Sequence, residues 1–334
     1  MYSNSRNDRG ANSNAASQDE QAVREMYERA PYPGLGSGLK DPGIFIDPLK
    51  PELSGRTGIR FLDAGCGTGH FLVGVAKARR DWTCFGVDLS QASLDVAAQL
   101  ATLHGAAVML KRGSYLDPLP FEGQFDVIAA IGTIHHASDP VAALKNLRAS
   151  LRDDGYLIMH VYGLRLDREK FDIKEMLDIF EPDLNKVERR FEIYNALIAH
   201  RRKHWLKTLV RRPLIDIVQS GINWVRNLLR RSRGTVWSPG FTARFDKPDA
   251  PWIDHFCHPC ERAYEVPEVL ALVQDAGFAV HRMLGQGQEY PQLVPGGWQP
   301  DYSQLPDAAK WRLSELLAFR GASFRLILRK NGAA

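Results

Sequence analysis

Short apolar runs of strand length recur along this chain, and each ends in a turn-forming or acidic residue before a stretch with helical spacing. The first run, over 59–64, reaches Asp63 and is followed by glycines at every second position: Gly65, Gly67 and Gly69. A helix is predicted over 70–80. A second strand, 82–88, ends in Asp88, and Ser90 caps a helix running to about His104. A third, 107–112, ends at Gly113-Ser114-Tyr115-Leu116-Asp117. A fourth, 125–131, ends at Gly132-Thr133-Ile134-His135-His136. Asp139-Pro140 is an N-cap with proline at the first helical position, opening a helix to about Leu151. Asp153-Asp154-Gly155 then turns into a fifth strand over 156–161, and 278–284 and 323–330 supply a sixth and a seventh. Strands alternating with helices at this pitch predict an α/β fold with a parallel sheet and a ligand at its C-terminal strand edge.

The glycine turn narrows the ligand. Strand, glycine-rich turn and helix bring backbone N–H groups and a helix N-terminus against a nucleotide-like molecule. A dinucleotide fingerprint needs its third glycine one position later, where this chain has His70. A phosphate-binding loop needs Lys and Ser or Thr after the last glycine, and neither is there. Asp88 lies 23 residues after Gly65, about where such folds place the carboxylate that accepts ribose hydroxyls.

At this point the chain resembles the class I S-adenosylmethionine-dependent methyltransferases, of the bacterial small-molecule type. The matching pieces are 62–69, 86–90, Leu119-Pro120-Phe121 with 125–128, Ile134-His135-His136 with Asp139-Pro140, and 151–158. The resemblance implies a Rossmann-like, seven-stranded, mostly parallel sheet with helices on both faces and the last strand antiparallel. It implies S-adenosyl-L-methionine as cofactor. Asp63 and the turn Gly65-Cys66-Gly67 with Gly69 would hold its methionine part, and Asp88 with Leu89 its ribose. Ser114 and Tyr115 would border the adenine, with Ile131 beneath it. Many relatives have an acid at the Ser114 position; here Ser114 or Asp117 must meet the adenine amine.

The acceptor side is read from the remaining motifs. Methyl transfer is an in-line displacement at an already activated carbon, so the protein aligns the acceptor and removes its proton. Histidine is the convenient base for a phenol, a hydroxyl or an acidic carbon. His136, after the fourth strand, is the first candidate; a structural role for the His135-His136 pair and a carboxylate acceptor needing no base are the alternatives. The stretch 252–264 resembles an Asp-x-x-x-His-Pro-x-x-Arg-x-Tyr segment of bacterial small-molecule methyltransferases, which makes His258 and Tyr264 further catalytic candidates. Cys257 and Cys260 are spaced as a metal pair beside His255 and His258. A structural zinc site needs a second ligand pair elsewhere, so no metal is expected.

Five parts are expected: a disordered tail at 1–16, a helix with an aromatic flap at 17–50, the cofactor core at 51–162, a helical cap at 163–266 between strands five and six, and the end of the sheet at 267–334. Ser17 with Glu20 forms a capping-box pattern for the first helix. Tyr27, Pro31, Tyr32 and Pro33 resemble a cofactor flap of bacterial members; a helix packed on the sheet edge is the alternative.

Composition adds compartment and partners. Of 334 residues, 44% are hydrophobic and 25% charged, ordinary for a globular protein. Four cysteines are too few for a disulfide scaffold, and no basic-then-apolar leader is present, so a cytoplasmic location is expected. Net charge is only +4, yet residues 200–233 hold ten Lys or Arg against one acid, Asp216. Apolar positions there follow helical spacing. The segment suits an anionic membrane surface, giving a peripheral location, or an acidic carrier protein; the alternative is a cap with a solvated basic face. RNA is a competing partner but nucleic acid is disfavoured, since the Asn- or Asp-Pro-Pro-aromatic run of exocyclic-amine methylation is absent after the fourth strand. The function expected is methyl transfer to a small-molecule or lipid-like acceptor, on oxygen or carbon, in a biosynthetic pathway.

Overall fold

The computed structural model describes residues 13–209, 245–284, 304–317 and 323–332. Contacts divide the chain into two units, Met1–Leu166 with His258–Ala334, and Asp167–Cys257.

The first unit carries seven strands: β1 Arg60–Ala64, β2 Thr83–Asp88, β3 Val108–Arg112, β4 Phe125–Ile131, β5 Leu151–Val161, β6 Phe278–Leu284 and β7 Phe324–Lys330. Their order is β3-β2-β1-β4-β5-β7-β6, with β7 antiparallel to both neighbours and the rest parallel. The order reverses between β1 and β4, and such a switch opens a crevice at the carboxyl ends of the strands.

Alternation of side chains splits the core between the two faces of the sheet. Leu62, Ile128, Met159 and Leu326 face the helices α5 (Pro140–Ser150) and α9 (Val266–Asp275). Phe61, Val127, Ile158 and Ile327 face α2 (Gly43–Ile46) and α3 (His70–Ala78). Val73 of α3 also packs on Leu100 of α4 (Gln91–Leu103). The caps read from sequence are made. Ser90 Oγ accepts from Ser93 N–H at 3.1 Å and Asp139 Oδ1 from Ala142 N–H at 2.9 Å.

Two boundaries differ from expectation. The first helix, α1, runs Ser13–Arg29, so residues 13–16 are helical and the Ser17 capping box does not open it; residues 1–12 of the expected tail lie outside the described residues. Strand β5 begins at Leu151, because Leu151 pairs with Phe125 and keeps Asp153-Asp154-Gly155 extended.

The second unit is helical and lies inside the 163–266 interval. It comprises α6 (Leu164–Phe180) from Asp167 on, α7 (Val187–Leu209) and α8 (Ala250–Phe256). Ile173, Leu177, Tyr194, Trp252 and Phe256 form its core. Fully buried Arg190 of α7 donates to Asp178 Oδ1 and to Phe256 O, each at 2.8 Å, and also to Glu181 O, tying three helices together. From residue 210 to 233 the basic segment lies outside the described residues. Among the described residues no helix is long and apolar enough to cross a membrane. One further helix, α10 (Asp307–Leu317), precedes β7.

Candidate functional site

The glycine turn after β1 needs glycine at each of its three positions. Gly65, Gly67 and Gly69 have φ of 75°, 51° and 79°, which a side chain would strain. A Cβ on Gly65 would stand 2.5 Å from Thr133 Cγ2, and one on Gly69 2.8 Å from Ala97 Cβ. The turn is therefore bare backbone, closely backed by the β4 loop and by α4.

Two carboxylates flank it. Asp88 ends β2 and accepts from Gly67 N–H at 2.8 Å and from Ser90 N–H at 2.9 Å. Each oxygen keeps a second lone pair, the requirement for meeting two vicinal hydroxyls. Burial raises its pKa, against those hydrogen bonds. Asp63, on β1, is 3% exposed, and burial pushes its carboxyl up to about 7 despite the opposing charge of Lys40. A buried carboxylate short of compensation is the group that an ammonium would relieve. Cys66 is buried between these acids, and desolvation holds its thiol far above the usual range, so it is a packing residue of the turn.

An N-terminal strap lies over the same turn. Tyr32 O lies 2.9 Å from Thr68 Oγ1, which also lies 2.9 Å from His70 Nδ1; His70 Nε2 in turn sits 3.0 Å from Ser37 O. Glu28 of α1 accepts from Gln91 N–H at 2.8 Å and Ala92 N–H at 3.0 Å, covering the first N–H groups of α4 that Ser90 leaves open. Neither Glu28 nor the Thr68–His70 pairing was legible in the sequence, beyond His70 replacing a third glycine.

On the other side of the crevice, Tyr115 donates to Thr133 O at 3.3 Å, and burial raises its phenol pKa. Ser114 is nearly buried, and its Oγ accepts from Leu116 N–H at 3.0 Å. Asp117 is placed by its own carbonyl, which accepts from Asn146. Leu89 and Ile131 are half-buried at the ends of β2 and β4. All the cofactor-side candidates thus converge on one edge of the sheet.

The histidines form a stack beyond the β4 end. His135 and His136 have ring centroids 4.2 Å apart, and His136 stacks on His258 at 3.8 Å and 24°. Both His136 and His258 are buried. Cys260 sits between them in hydrogen bonding. Its carbonyl lies 3.1 Å from His136 Nδ1, and its N–H donates to His258 Nδ1 at 3.2 Å. A carbonyl only accepts, so His136 carries hydrogen on Nδ1 and, when neutral, its lone pair on Nε2. Neutral His258 has the opposite tautomer. Arg262 fixes the loop, donating its backbone N–H to His135 O at 2.9 Å and its guanidinium to Ala137 O and, at 3.1 Å, to Ser138 O.

Tyr264 lies deeper, within the same core cluster as Phe324 and Met159, and bridges Gly163 through its backbone. Its hydroxyl is buried without a partner, and burial raises its pKa. The four cysteines are free thiols, and Cys260 Sγ donates to Ala137 O at 3.5 Å.

Comparison with known proteins agrees with this geometry. A family model described as a methyltransferase domain matches residues 62–157. An uncharacterized protein of a Synechococcus species is 25% identical over 316 residues, 89% of this chain and 68% of that protein. A ubiquinone biosynthesis O-methyltransferase of Actinobacillus pleuropneumoniae is 28% identical over 117 residues, 34% of this chain. The match spans 49% of that enzyme, about half its length. Among solved structures, PKMT2 from Rickettsia typhi in complex with AdoHcy has a TM-score of 0.61 at 14% identity, covering 91% of this chain and 56% of its own. With the bare glycine turn, the two carboxylates and the seven-stranded order, residues 62–157 carry a methyltransferase domain.

Proposed function

We propose that this protein methylates a small-molecule or lipid-like acceptor, on oxygen or carbon, within a biosynthetic pathway, with His136 as the base. The observation that carries the reading is the Cys260 carbonyl 3.1 Å from His136 Nδ1. That hydrogen bond sets the tautomer, so the acceptor's hydroxyl or C–H proton passes to Nε2 as the new bond to the methyl carbon forms. The cofactor supplies a methyl group on a sulfonium, which departs as a neutral thioether. Asp88 takes the ribose hydroxyls, Asp63 the ammonium group, and the turn Gly65-Cys66-Gly67 with Gly69 lies along the methionine chain. Leu89, Ser114, Tyr115 and Ile131 enclose the base and ribose. His258, stacked on His136, holds its plane, and Tyr264 keeps the returning chain in register. The O-methyltransferase name of the Actinobacillus relative supports oxygen as the acceptor atom.

The test is methyl-labelled cofactor incubated with a cell extract, followed by partition of the label. Label should enter the low-molecular-mass organic fraction, and His136→Ala should cut the rate by ~10²–10⁴ with S-adenosylhomocysteine affinity kept. Label confined to RNA or protein would refute the acceptor class. Full turnover in His136→Ala would remove the base.

A further inference from the structure

The face of the sheet that holds Asp63 carries a second polar group at the same edge. His160 is the last residue but one of β5, and its register partner across the antiparallel pair is Arg325 of β7. Ile158 and Ile327, two residues inward on each strand, belong to the core beneath α2 and α3. Strand alternation therefore puts His160 and Arg325 side by side on that face, with Cβ atoms ~4.5–5.5 Å apart. Because β7 runs antiparallel, Arg325 stands near its start, at the carboxyl edge of the parallel strands where Asp63, Gly132 and His136 also lie.

His160 Nε2 is buried without a hydrogen-bond partner, and half-buried Arg325 has no protein partner among the described residues. Burial lowers the arginine's pKa, and no acid among the described residues offsets that cost. Burial likewise lowers His160 to about 4, with Lys40 and Arg325 adding positive charge and no acid opposing it. An arginine at this depth is ordinarily paired, since an uncompensated buried charge is strongly unfavourable. The neighbours are apolar: Phe45, whose ring centroid is 5.9 Å from that of His160, and Ile131, its register partner on β4.

We propose that Arg325 and His160 form the anion-binding end of the acceptor site, so that the acceptor carries a carboxylate. Arg325 meets it with a planar pair of N–H donors, neutral His160 adds one N–H, and Phe45 with Ile131 lines the apolar body. Two inter-strand spacings separate β7 from β4, about 10 Å. The charged group is thus well removed from the atom beside His136 that receives the methyl group. This rests on the methyl-transfer reading above.

The probe is benzoate, with benzamide as its uncharged counterpart, titrated calorimetrically into full-length protein saturated with S-adenosylhomocysteine. Benzoate should bind and benzamide should bind at least tenfold more weakly. Arg325→Met should lose at least tenfold in benzoate affinity, Arg325→Lys should recover part of it, and His160→Leu should lose severalfold. S-adenosylhomocysteine affinity should stay within twofold in each variant, which also shows that the variants are folded. Equal binding of benzoate and benzamide, or unchanged benzoate affinity in Arg325→Met, overturns the site. If Arg325→Met instead loses S-adenosylhomocysteine affinity, the arginine serves the cofactor's own carboxylate, and the acceptor assignment is overturned. If wild-type protein binds no S-adenosylhomocysteine, it is the methyl-transfer reading that has failed, and this inference falls with it.

Discussion

If Asp63 pairs with the cofactor's ammonium as proposed, cofactor binding depends on pH in a way that can be worked out in advance. Its carboxyl is held at about 7 because burial outweighs the attraction of Lys40. An ammonium partner requires the ionised form. Below pH 7 part of the binding energy must remove a proton, and affinity scales with the ionised fraction. That fraction is about one-tenth at pH 6 and one-half at pH 7, so affinity for S-adenosylhomocysteine should rise roughly fivefold over that interval. At still higher pH the ligand's own amino group loses its charge, and affinity should fall again. The assay is calorimetry at half-unit pH steps in two buffers of different ionisation enthalpy, which also counts protons released. Asp63→Asn should abolish the ascending limb while keeping the descending one. A flat profile from pH 6 to 7 in the wild type, or an ascending limb surviving in Asp63→Asn, would refute the pairing. The same shift has a stability consequence. Between its ordinary 3.8 and about 7, the folded state keeps a proton that the unfolded chain has released, so this group lowers stability as pH rises through that window.

Three further outcomes follow from the site. Asp88→Ala removes a charge-assisted acceptor and should weaken S-adenosylhomocysteine binding by ~1.5–3 kcal/mol in the same titration. Gly69→Ala combines a left-handed backbone, ~1–2 kcal/mol, with crowding of Ala97, ~1–3 kcal/mol, and should lower stability to urea by roughly 2–5 kcal/mol. In the Ala97→Gly background its cost should shrink to the backbone part, and strict additivity would show that α4 moves aside freely. Glu28→Ala uncovers the first N–H groups of α4 and should cost ~1 kcal/mol in urea unfolding, with no loss expected if water replaces the carboxylate fully.

The glycine-turn half of the candidate site was legible because its backbone geometry is written in consecutive residues. Three glycines at every second position mark a turn that needs positive φ, which glycine alone adopts freely, and the structure has them at 75°, 51° and 79°. Asp88 could be placed because a strand ends there and the glycine turn that it braces lies one strand away. The strap was only half legible: Tyr32 and Pro33 marked a bend, but nothing local showed that Tyr32 O would meet Thr68, and Ser13-Asn14-Ala15-Ala16 read as tail although α1 begins there. Register was the larger gap. His160 read as one polar position within a strand and Arg325 as one of three cations in another. Only the order β5-β7-β6 makes them neighbours, 165 residues apart, and only the lack of an acid paired with either among the described residues makes their pairing consequential. Likewise His136 could be named from its place after β4, but not its tautomer, which is set by a carbonyl 124 residues away. Local backbone demands can be read from the chain in order; the groups proposed to select an acceptor come from strands and loops far apart in it, and their meaning appears once the sheet brings them to one edge.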